Sequence, residues 1–389
     1  MKRLLLISYY FPPSGGPGVQ RTLKFVKYLP DNGWLPTVLT VDPKRAAYPD
    51  LDASLMADVP ENADVVRTRS WDPYGSYARL QGRSKDDAVG VSFVQEESGG
   101  LVQRIALWTR ANLFVPDARI GWLPFAKKAA AALHDHEPFD AVLTTGPPHS
   151  SHLVGRWLAR HRKLPWVVDL RDPWTGIHYY SRLPVTRIAA TRDRRYERSV
   201  IEEADAVVVV SPGMIENLSR RVVRNYNLIP NGFDPADFPD ASVARSSSFS
   251  IRHLGTLSAS QNPVAVWEGL RRLRSSEGTQ AEIELIGNVD PEIVAEIRNR
   301  GLDRYVHLRP YVEHDRAIRL MQEASLLLLV IPDVTKSGEI VTGKIFEYLA
   351  SGRPIMGIGP PDGDAANILR ESGGGLMFGH RDVDGVSQH

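Results

Sequence analysis

Residues 336–354 read Lys-Ser-Gly-Glu-Ile-Val-Thr-Gly-Lys-Ile-Phe-Glu-Tyr-Leu-Ala-Ser-Gly-Arg-Pro. The glycine and the proline near the end of this stretch stop a helix, so the pattern predicts a helix over Lys344–Ser351. Short apolar runs flank it at Ser325–Ile331 and Ile355–Ile358. Such runs are typical of central parallel strands that helices cover on both faces. The stretch therefore indicates a strand–helix–strand unit of an α/β protein.

The same alternation of apolar runs and helical spacing continues along the chain and predicts doubly wound α/β sheets. Further strands are predicted at Leu4–Ser8, Thr37–Val41, Ala141–Thr145, Trp166–Leu170, Ala206–Val210, Ser250–Leu254 and Ile283–Ile286. Further helices are predicted at Val19–Asp31, Leu123–His134, His152–Arg162, Val264–Arg274 and Pro291–Arg300.

This series of strands and helices starts twice. The stretch Asn227–Ser248 is rich in Pro, Asp and Ser, and a fresh strand opens directly after it. We therefore expect two domains, residues 1–235 and residues 236–389. Residues 70–103 contain much Gly, Ser, Asp and Gln with little periodicity, which predicts a mobile loop or insertion.

Composition excludes several classes of function. The 389 residues carry 47 Lys and Arg against 46 Asp and Glu, and this formal charge of +1 argues against a protein that coats nucleic acid. The absence of cysteine removes disulfides, thiolate metal sites and cysteine nucleophiles. No run approaches 18 apolar residues, and the N-terminal run Leu4–Ile7 breaks without a small-residue cleavage site. We expect a cytoplasmic protein whose first buried strand begins at this run.

A glycine-rich turn follows that first strand. It reads Ser14-Gly15-Gly16-Pro17-Gly18 and leads into a helix. Backbone amides at such a turn can approach an anion or a sugar closely. The alternative is a tight turn without a ligand, because the spacing is not that of the dinucleotide fingerprint.

The predicted helix over Lys344–Ser351 has a polar and a buried face. Lys344 in its first turn conflicts with the helix dipole, which favours an anion there. A bound phosphate would resolve this conflict, and the alternative is a Lys344–Glu347 surface pair worth a few tenths of a kcal/mol. The predicted polar face consists of Lys344, Glu347, Tyr348 and Ser351, and the buried face of Ile345, Phe346 and Leu349.

Glu339 and Glu347 are separated by seven residues. This E-x7-E pattern, with the helix around it, resembles the donor-binding segment of retaining glycosyltransferases of the family 4 type. The resemblance implies the GT-B fold, in which two facing Rossmann-like doubly wound domains form an interdomain cleft. Further segments that resemble this family are Tyr10–Gly16, Thr145–His152, Asp169–Trp174 and Ile229–Asp234.

The resemblance implies roles for residues of the second domain. Glu347 would bind the nucleotide ribose, Lys344 would neutralise the diphosphate and act in catalysis, and Glu339 would lie beside the transferred sugar as a catalytic residue. Gly255 and Thr256 would let the phosphates approach, and the segment Arg309–Val312 would hold the base. The donor-binding set is thus Gly255, Thr256, Tyr311, Val312, Lys344 and Glu347.

The first domain would bind the acceptor, with Gly15 and Gly16 in its glycine loop. Asp169, Arg171 and Asp172 follow a predicted strand, where open α/β sheets place ligand contacts. Asp169 and Arg171 are candidates for acceptor binding, and Asp172 and His149 are candidates for catalysis. The alternatives are an Asp–Arg pair that pins the loop to a helix, and a structural histidine.

Two segments depart from the family pattern. The loop Gly255–Pro263 lacks the Arg and Lys that many members use to grip the diphosphate, so more of the charge falls on Lys344. The segment Gly379–His389 offers no helix that could cross back to the first domain. Asp362 and Asp364 precede a helical stretch and are better explained as capping residues than as metal ligands. We expect no obligatory metal and no cofactor besides the donor substrate.

The stretch 181–200 is markedly basic, with Asp193 and Glu197 as its only acids. Together with nearby aromatic residues it suits an anionic membrane surface or a lipid-diphosphate acceptor, and the alternative is a solvated helix face beside core aromatics. The arginines are Arg182, Arg187, Arg192, Arg194, Arg195 and Arg198, and the aromatics are Trp108, Phe114, Trp122 and Phe125.

The resemblance implies transfer of a sugar from a UDP- or GDP-linked donor to a hydroxyl of a saccharide or lipid-linked acceptor. We expect a retaining enzyme of bacterial cell-surface polysaccharide biosynthesis, cytoplasmic or peripheral at the inner face of the membrane. Two alternatives stay open: a nucleotide-sugar epimerase or hydrolase of the same fold, and a catalytically silent nucleotide-sugar-binding protein.

Overall fold

The computed structural model describes residues 1–48, 51–71, 101–238, 249–275 and 281–388. They form two compact units, each a parallel sheet with its helices. The first unit is Met1–Val210 with Met214–Pro230, and the second is Ser211–Gly213 with Asn231–His389. Most of the predicted insertion, residues 72–100, lies outside the described residues, but its last residues 101–103 belong to a helix.

The first unit has a seven-stranded parallel sheet in the order β3-β2-β1-β4-β5-β6-β7. Its central strands are apolar on both faces, and Leu5 and Leu6 of β1 are both fully buried. The strands are β1 Lys2–Ile7, β2 Trp34–Val41, β3 Asp64–Thr68, β4 Ala141–Gly146, β5 Trp166–Leu170, β6 Ala206–Val209 and β7 Asn227–Leu228.

The strand order of this sheet reverses beside β1. Leu5 of β1 pairs with Thr37 of β2 on one side and with Val142 of β4 on the other. Because successive crossovers diverge at this point, a crevice opens beyond the carboxyl ends of β1 and β4. The loops that follow these two strands contain Gly15, Gly16 and His149.

Helices flank this sheet, and its main core is built around Trp122 and Trp166, which are both fully buried. The indole N–H of Trp166 donates to Thr144 Oγ1 at 2.9 Å, so this large side chain is satisfied inside the core. The helices are α1 Pro17–Tyr28, α2 Leu101–Leu113, α3 Leu123–His136, α4 His152–Arg162, α5 Arg187–Glu203 and α6 Pro212–Ser219, the last beginning in the short segment assigned to the second unit.

The second unit has a six-stranded parallel sheet in the order β10-β9-β8-β11-β12-β13. Its order reverses between β8 and β11, which pair directly through Ile251 and Leu326. The predicted site residues after β8 and after β11 therefore share one edge of the sheet, at its switch point. The strands are β8 Ser250–Leu254, β9 Glu282–Ile286, β10 Val306–Arg309, β11 Leu326–Val330, β12 Ile355–Ile358 and β13 Gly375–Phe378.

The helices of the second unit include one that the sequence analysis missed. Val383–Gln388 forms a helix within Gly379–His389, whereas the expectation that this segment has no helix crossing back to the first domain stays a prediction. Asp382 accepts a hydrogen bond from Gly385 N at 3.0 Å, and Val386 is buried against Gly269 of a neighbouring helix in the same unit. The helices are α7 Val264–Ser275, α8 Pro291–Asn299, α9 His314–Glu323, α10 Lys344–Ala350, α11 Asp364–Ser372 and α12 Val383–Gln388.

Candidate active site

Gly255 and Lys344 meet at the switch point of the second sheet. Gly255 directly follows β8 and has a φ of +104°, a conformation that glycine adopts without strain. A Cβ at this position would lie 2.8 Å from both Cε and Nζ of Lys344. Two constraints therefore require glycine at this position. One is the positive φ of its backbone, and the other is the Lys344 side chain, which leaves no room for a Cβ.

Lys344 is held there by neutral partners. Its Nζ lies 3.3 Å from His253 Nε2 and donates to the carbonyl oxygen of Thr256 at 3.5 Å. His253 is buried, and because its Nδ1 donates to Leu328 O at 2.9 Å, its Nε2 is free to accept from the lysine. Among the described residues no carboxylate lies within salt-bridge distance of Lys344, so the alternative of a Lys344–Glu347 pair is not formed.

Burial shifts the pKa values of this pair. Loss of solvent lowers the pKa of Lys344 to about 8, and the charge of Glu347 opposes the shift. Burial, assisted by the charge of Lys344, lowers the pKa of His253 to about 3. At pH 7 Lys344 is therefore mostly a cation beside a neutral imidazole, and a phosphate would satisfy it better than its present partners do.

Tyr348 does not belong to the polar face on which the sequence analysis placed it. Its ring is fully buried, and its hydroxyl accepts a hydrogen bond from Leu254 N at 2.9 Å. Burial raises the pKa of this hydroxyl. Tyr348 thus anchors α10 to the end of β8, which fixes Lys344 over Gly255.

Glu347 remains partly exposed on α10. Its Oε1 lies 4.0 Å from Nδ1 of His314, whose Nε2 lies 3.4 Å from Asp237 Oδ2. The carboxylate is therefore accessible on the same helix as Lys344.

Glu339 lies in the crossover between β11 and α10. It ends the short 3-10 turn Ser337–Glu339, and its amide donates to Lys336 O at 3.0 Å. Lys336 has a positive φ of 65°, which turns the chain sharply here. In the same crossover, the Oγ1 of Thr342 is buried without a hydrogen-bond partner. Such an orphan polar atom is uncommon in proteins.

The remaining donor-site candidates lie at the same sheet edge. Tyr311 follows β10 and is 56% exposed, whereas Val312 packs against the apolar cluster that contains Ile345. Arg309, the first residue of the predicted base-holding segment, is committed to an ion pair with the buried Glu284. Contact of Tyr311 and Val312 with the base stays a prediction.

The loop after β8 contains no Arg or Lys and is closed by its own polar side chains. Ser258 and Gln261 form a reciprocal capping box, and Gln261 Nε2 donates to Val330 O at 3.1 Å. Arg252 of β8 is buried in ion pairs with Glu284 and Glu323. Of these basic groups, Lys344 is thus the one that can meet an anion at this edge.

The glycine turn of the first unit lies at the N-terminus of α1. Gly16 occupies the cap position with a φ of +92°, and no side chain caps the helix there. A Cβ on Gly16 would meet no atom within 4 Å, so the space before this helix is open. Gly15 is buried, so Gly16 is the part of the turn that is open to a ligand, and ligand binding at this turn stays a prediction.

Asp169 forms an Asp–Arg pair of the kind that the sequence analysis gave as the alternative, and its partner is Arg21 of helix α1. Its carboxylate is fully buried and forms an ion pair with Arg21 at 2.8 Å, and it also accepts from Thr145 Oγ1 at 2.8 Å. Arg21 donates further to the carbonyl oxygens of Ile229 and Pro230. Asp169 therefore holds α1, β4 and the end of the first unit together, and its oxygens are committed to this structural network.

Arg171 ties the glycine turn to the loop after β4. It donates to the carbonyl oxygens of Gly18 at 2.6 Å, Gly146 at 3.2 Å and Pro147 at 2.8 Å. An Asp169–Arg171 pair is therefore not formed. Burial raises the pKa of the neighbouring Asp172, an effect that the charge of Arg171 opposes.

His149 follows β4 and packs among aromatic side chains. Its ring stacks on Trp174 with the centroids 4.3 Å apart and 9° between the planes. Burial, with the charges of His152 and Arg171, lowers the pKa of His149 well below its ordinary value. Its Nδ1 is buried without a hydrogen-bond partner, which leaves Nε2 as the nitrogen that a substrate can reach. His149 is therefore a neutral imidazole at physiological pH.

Two aromatic residues beside His149 were not singled out by the sequence analysis. His152 is fully buried, its Nδ1 lies 2.9 Å from Thr144 Oγ1, and burial lowers its pKa to about 3. His152 and Trp174 appeared there only as ends of family segments, and His152 also as the start of a predicted helix. The signal that could have marked His152 is a histidine at a helix start shortly after a strand.

The described ranges contain neither a candidate metal site nor a helix that could span a membrane. No group of three or more His, Asp or Glu side chains in them is arranged to hold a metal ion. None of the helices in the same ranges combines the length and apolar character that a bilayer span requires.

The chain matches a known protein family. A family model described as a glycosyl transferase 4-like domain matches residues 15–232, which is more than half of the chain. Among curated protein sequences, none matches.

Similar solved structures cover the whole chain. Sucrose-phosphate synthase from Thermosynechococcus elongatus has a TM-score of 0.66 at 17% identity, covering 100% of this chain and 88% of that one. TarM of S. aureus, solved with UDP, alpha-GlcNAc-glycerol and Fondaparinux, has a TM-score of 0.62 at 10% identity, covering 100% and 92%. A protein described as a putative UDP-N-acetylglucosamine 2-epimerase from Listeria monocytogenes has a TM-score of 0.53 at 11% identity, covering 100% and 86%. These identities establish a shared fold and leave the activity to the family match. The chain belongs to the glycosyl transferase 4-like family and has the two Rossmann-like units of the GT-B fold.

Proposed function

We propose that this protein transfers a sugar from a nucleoside-diphosphate sugar to an acceptor hydroxyl. The observation that carries the proposal is Lys344, a cation held over Gly255 at the switch point of the second sheet by a neutral histidine and a carbonyl oxygen. Departure of the nucleotide creates negative charge on the diphosphate, and a preorganised cation stabilises that charge in the transition state.

The other donor-site residues take roles around this cation. Glu347 binds the ribose hydroxyls, Tyr311 and Val312 hold the base of a UDP- or GDP-linked donor, and Glu339 lies beside the transferred sugar. The side chain of Glu347 is partly exposed and that of Tyr311 is exposed at the same edge of the second sheet, and this exposure supports these roles. Retention of the anomeric configuration follows from the E-x7-E resemblance, and we propose that the reaction needs no metal.

The first unit would bind the acceptor. Neutral His149 with an accessible Nε2, the raised pKa of Asp172 and the open space at Gly16 support this assignment. The family resemblance favours a saccharide or lipid-linked acceptor in bacterial cell-surface polysaccharide synthesis, on the cytoplasmic side of the membrane.

Peripheral membrane association is part of this proposal, and α5 supports it. Asp193 and Glu197, the acids within the basic stretch 181–200, are buried on the inner face of α5 and do not neutralise its exposed arginines, although Glu202 lies 3.9 Å from Arg198. Ile188 is 83% exposed among these arginines. Asn112 of α2 binds Thr186 N at 2.7 Å, which places α2, with its 46% exposed Trp108, beside the start of α5. Exposed apolar groups among cations fit an anionic lipid surface.

Vesicle binding tests this surface. Arg192, Arg194 and Arg195 changed to Gln should reduce co-sedimentation with anionic vesicles at low salt, since each basic residue near such a bilayer contributes about 1 kcal/mol. High salt should weaken binding of the wild type in the same way. Equal pelleting of the wild type and this triple variant would reject the membrane proposal. The matched control carries the same change of charge at exposed arginines of the second unit, Arg298, Arg304 and Arg319.

Product analysis with a labelled donor separates the proposed function from its two alternatives. A transferase moves the label to an acceptor, whereas an epimerase or hydrolase changes the nucleotide sugar without one. A silent binding protein binds the donor without turnover. A free labelled epimer or sugar as the main product, with acceptor present, would contradict the proposal.

A further inference from the structure

The two buried acids of α5 are unusual in a helix whose exposed positions are mostly basic. Asp193 is 5% exposed and Glu197 is 2% exposed. Buried carboxylates need partners, because an unpaired acid would lose its solvation without compensation. Asp193 accepts a hydrogen bond from the ring N–H of a buried aromatic side chain, whereas Glu197 binds Thr175 and Arg221.

That ring is Trp174. Its indole N–H donates to Asp193 Oδ1 at 2.8 Å, while Tyr180 donates to Asp193 Oδ2 at 2.8 Å. Trp174 is 3% exposed and has a φ of +43°, which is an outlier for a bulky side chain. Such backbone strain persists where the surroundings over-determine it, and it concentrates at functional sites.

Trp174 in turn holds His149. The two rings are stacked at 4.3 Å and nearly parallel. The ring of His149 forms no hydrogen bond with the described residues, and its Nδ1 is buried without a partner. Since no hydrogen bond fixes the imidazole plane, the stack on Trp174 is the contact that sets it.

We propose that Trp174 and Asp193 are positioning residues that orient the imidazole of His149 toward the substrate. This inference rests on the proposed function, in which His149 Nε2 meets the acceptor or the transferred sugar. Asp193 fixes the indole, the indole fixes the imidazole plane, and the imidazole presents Nε2. Misplacement of a reacting group by about 1 Å can cost about a hundredfold in rate.

Two variants break the chain of contacts at different links. Asp193→Ala removes the acceptor of the indole N–H, and Trp174→Leu removes the stacked ring. Each should lower kcat about a hundredfold and leave the affinity for UDP or GDP unchanged, since the nucleotide site lies in the second unit. Asp193→Asn keeps an oxygen for the indole and should restore most of kcat. Glu197→Gln is the matched control, because this second buried acid of α5 binds Thr175 and Arg221 instead of Trp174.

Imidazole NMR provides a readout that does not depend on turnover. The ring protons of His149, assigned by their loss in His149→Gln, should resonate upfield because the indole ring shields them. Asp193→Ala and Trp174→Leu should move these signals toward the positions of an unstacked histidine. Asp193→Asn and Glu197→Gln should leave them in place.

The outcomes separate this inference from the proposed function. His149 signals that stay upfield in a folded Asp193→Ala variant would overturn the positioning by Asp193, whatever the activity. Signals that move while kcat stays unchanged would overturn its part in the reaction. If Asp193→Ala does not fold, Trp174→Phe tests the proposal in its place. This variant keeps an aromatic ring but loses the indole N–H, so it should move the His149 signals partway toward the positions of an unstacked histidine. A wild type without any transfer activity would refute the proposed function and leave the NMR result to decide the orientation of His149.

Discussion

Lys344 should make nucleotide binding depend on pH. Burial lowers its pKa to about 8 from the ordinary 10.5, so the side chain is mostly protonated at pH 7 and mostly neutral at pH 9. The protonated fraction falls from about nine-tenths to about one-tenth between these values. A diphosphate that binds only the cation should therefore bind about tenfold more weakly at pH 9 than at pH 7.

Two variants of Lys344 isolate this effect. Lys344→Arg keeps its charge across this range and should bind equally well at both pH values. Lys344→Ala lacks the charge and should bind weakly and without pH dependence, at a cost of about 1.5–3 kcal/mol for a lost charged hydrogen bond. Calorimetric titration with UDP and GDP at constant ionic strength measures all three proteins.

Folding should respond to the same pKa shift with the opposite sign. The unfolded chain holds the proton of this lysine more tightly than the folded chain does, so the contribution of Lys344 to stability grows as the pH rises from about 8 toward 10.5.

A wild-type affinity that stays flat from pH 7 to pH 9, or an equal decline in Lys344→Ala, would refute the assignment of Lys344 to the diphosphate.

Three further variants test the remaining roles. Glu347→Ala should weaken nucleoside-diphosphate binding itself, because a ribose contact is present in the ground state and the transition state alike; unchanged calorimetric affinity would remove Glu347 from the site. Glu339→Ala should lower kcat more than nucleotide affinity, and steady-state kinetics that show the reverse would separate Glu339 from the sugar. Asp169→Ala should lower the free energy of unfolding by about 3 kcal/mol or more, since it leaves Arg21 buried without its counter-charge; chemical denaturation measures this, and a loss below about 1 kcal/mol would show that the pair is not structural.

The sequence predicts the central strands well and the edges poorly. The predicted bounds of β5, β8 and β12 match the structure, because these strands are buried on both faces and read as continuous apolar runs. The strands it missed are β3, β7, β10 and β13, which are the edge strands of the two sheets. Edge strands bury less surface, as in β10, where Val306 alone is buried, although β13 contains the apolar run Leu376–Phe378, which was overlooked.

The candidate site shows the same division between local and distant information. Lys344 and Glu347 were predicted from their helix and from the family pattern, and among the described residues no carboxylate lies within salt-bridge distance of Lys344. The sequence analysis included an Asp–Arg pair as an alternative, but it could not identify Arg21 as the partner because Arg21 lies 148 residues from Asp169. Tyr348 was misjudged because helical spacing cannot show that its hydroxyl binds the end of β8.

The inward acids of α5 carried a signal that was overlooked. Asp193 and Glu197 lie four residues apart and continue the spacing of Ala189 and Val200, which are buried on the same face. Helical periodicity thus predicts them inside, although their charge suggests solvent. Asp193 is buried as the hydrogen-bond acceptor of Trp174, and Glu197 is buried as the ion-pair partner of Arg221. Only the folded chain reveals these contacts.

The most direct test of the central claim is a thermal-shift measurement with UDP, GDP and their sugar conjugates on the wild type and Lys344→Ala. A ligand that binds only the native protein stabilises it by about 2.7 kcal/mol at one hundred times its Kd. The account predicts that one nucleoside diphosphate and its sugar raise the Tm of the wild type, and that the shift largely disappears in Lys344→Ala. No shift with any of them, or an equal shift in both proteins, would contradict it.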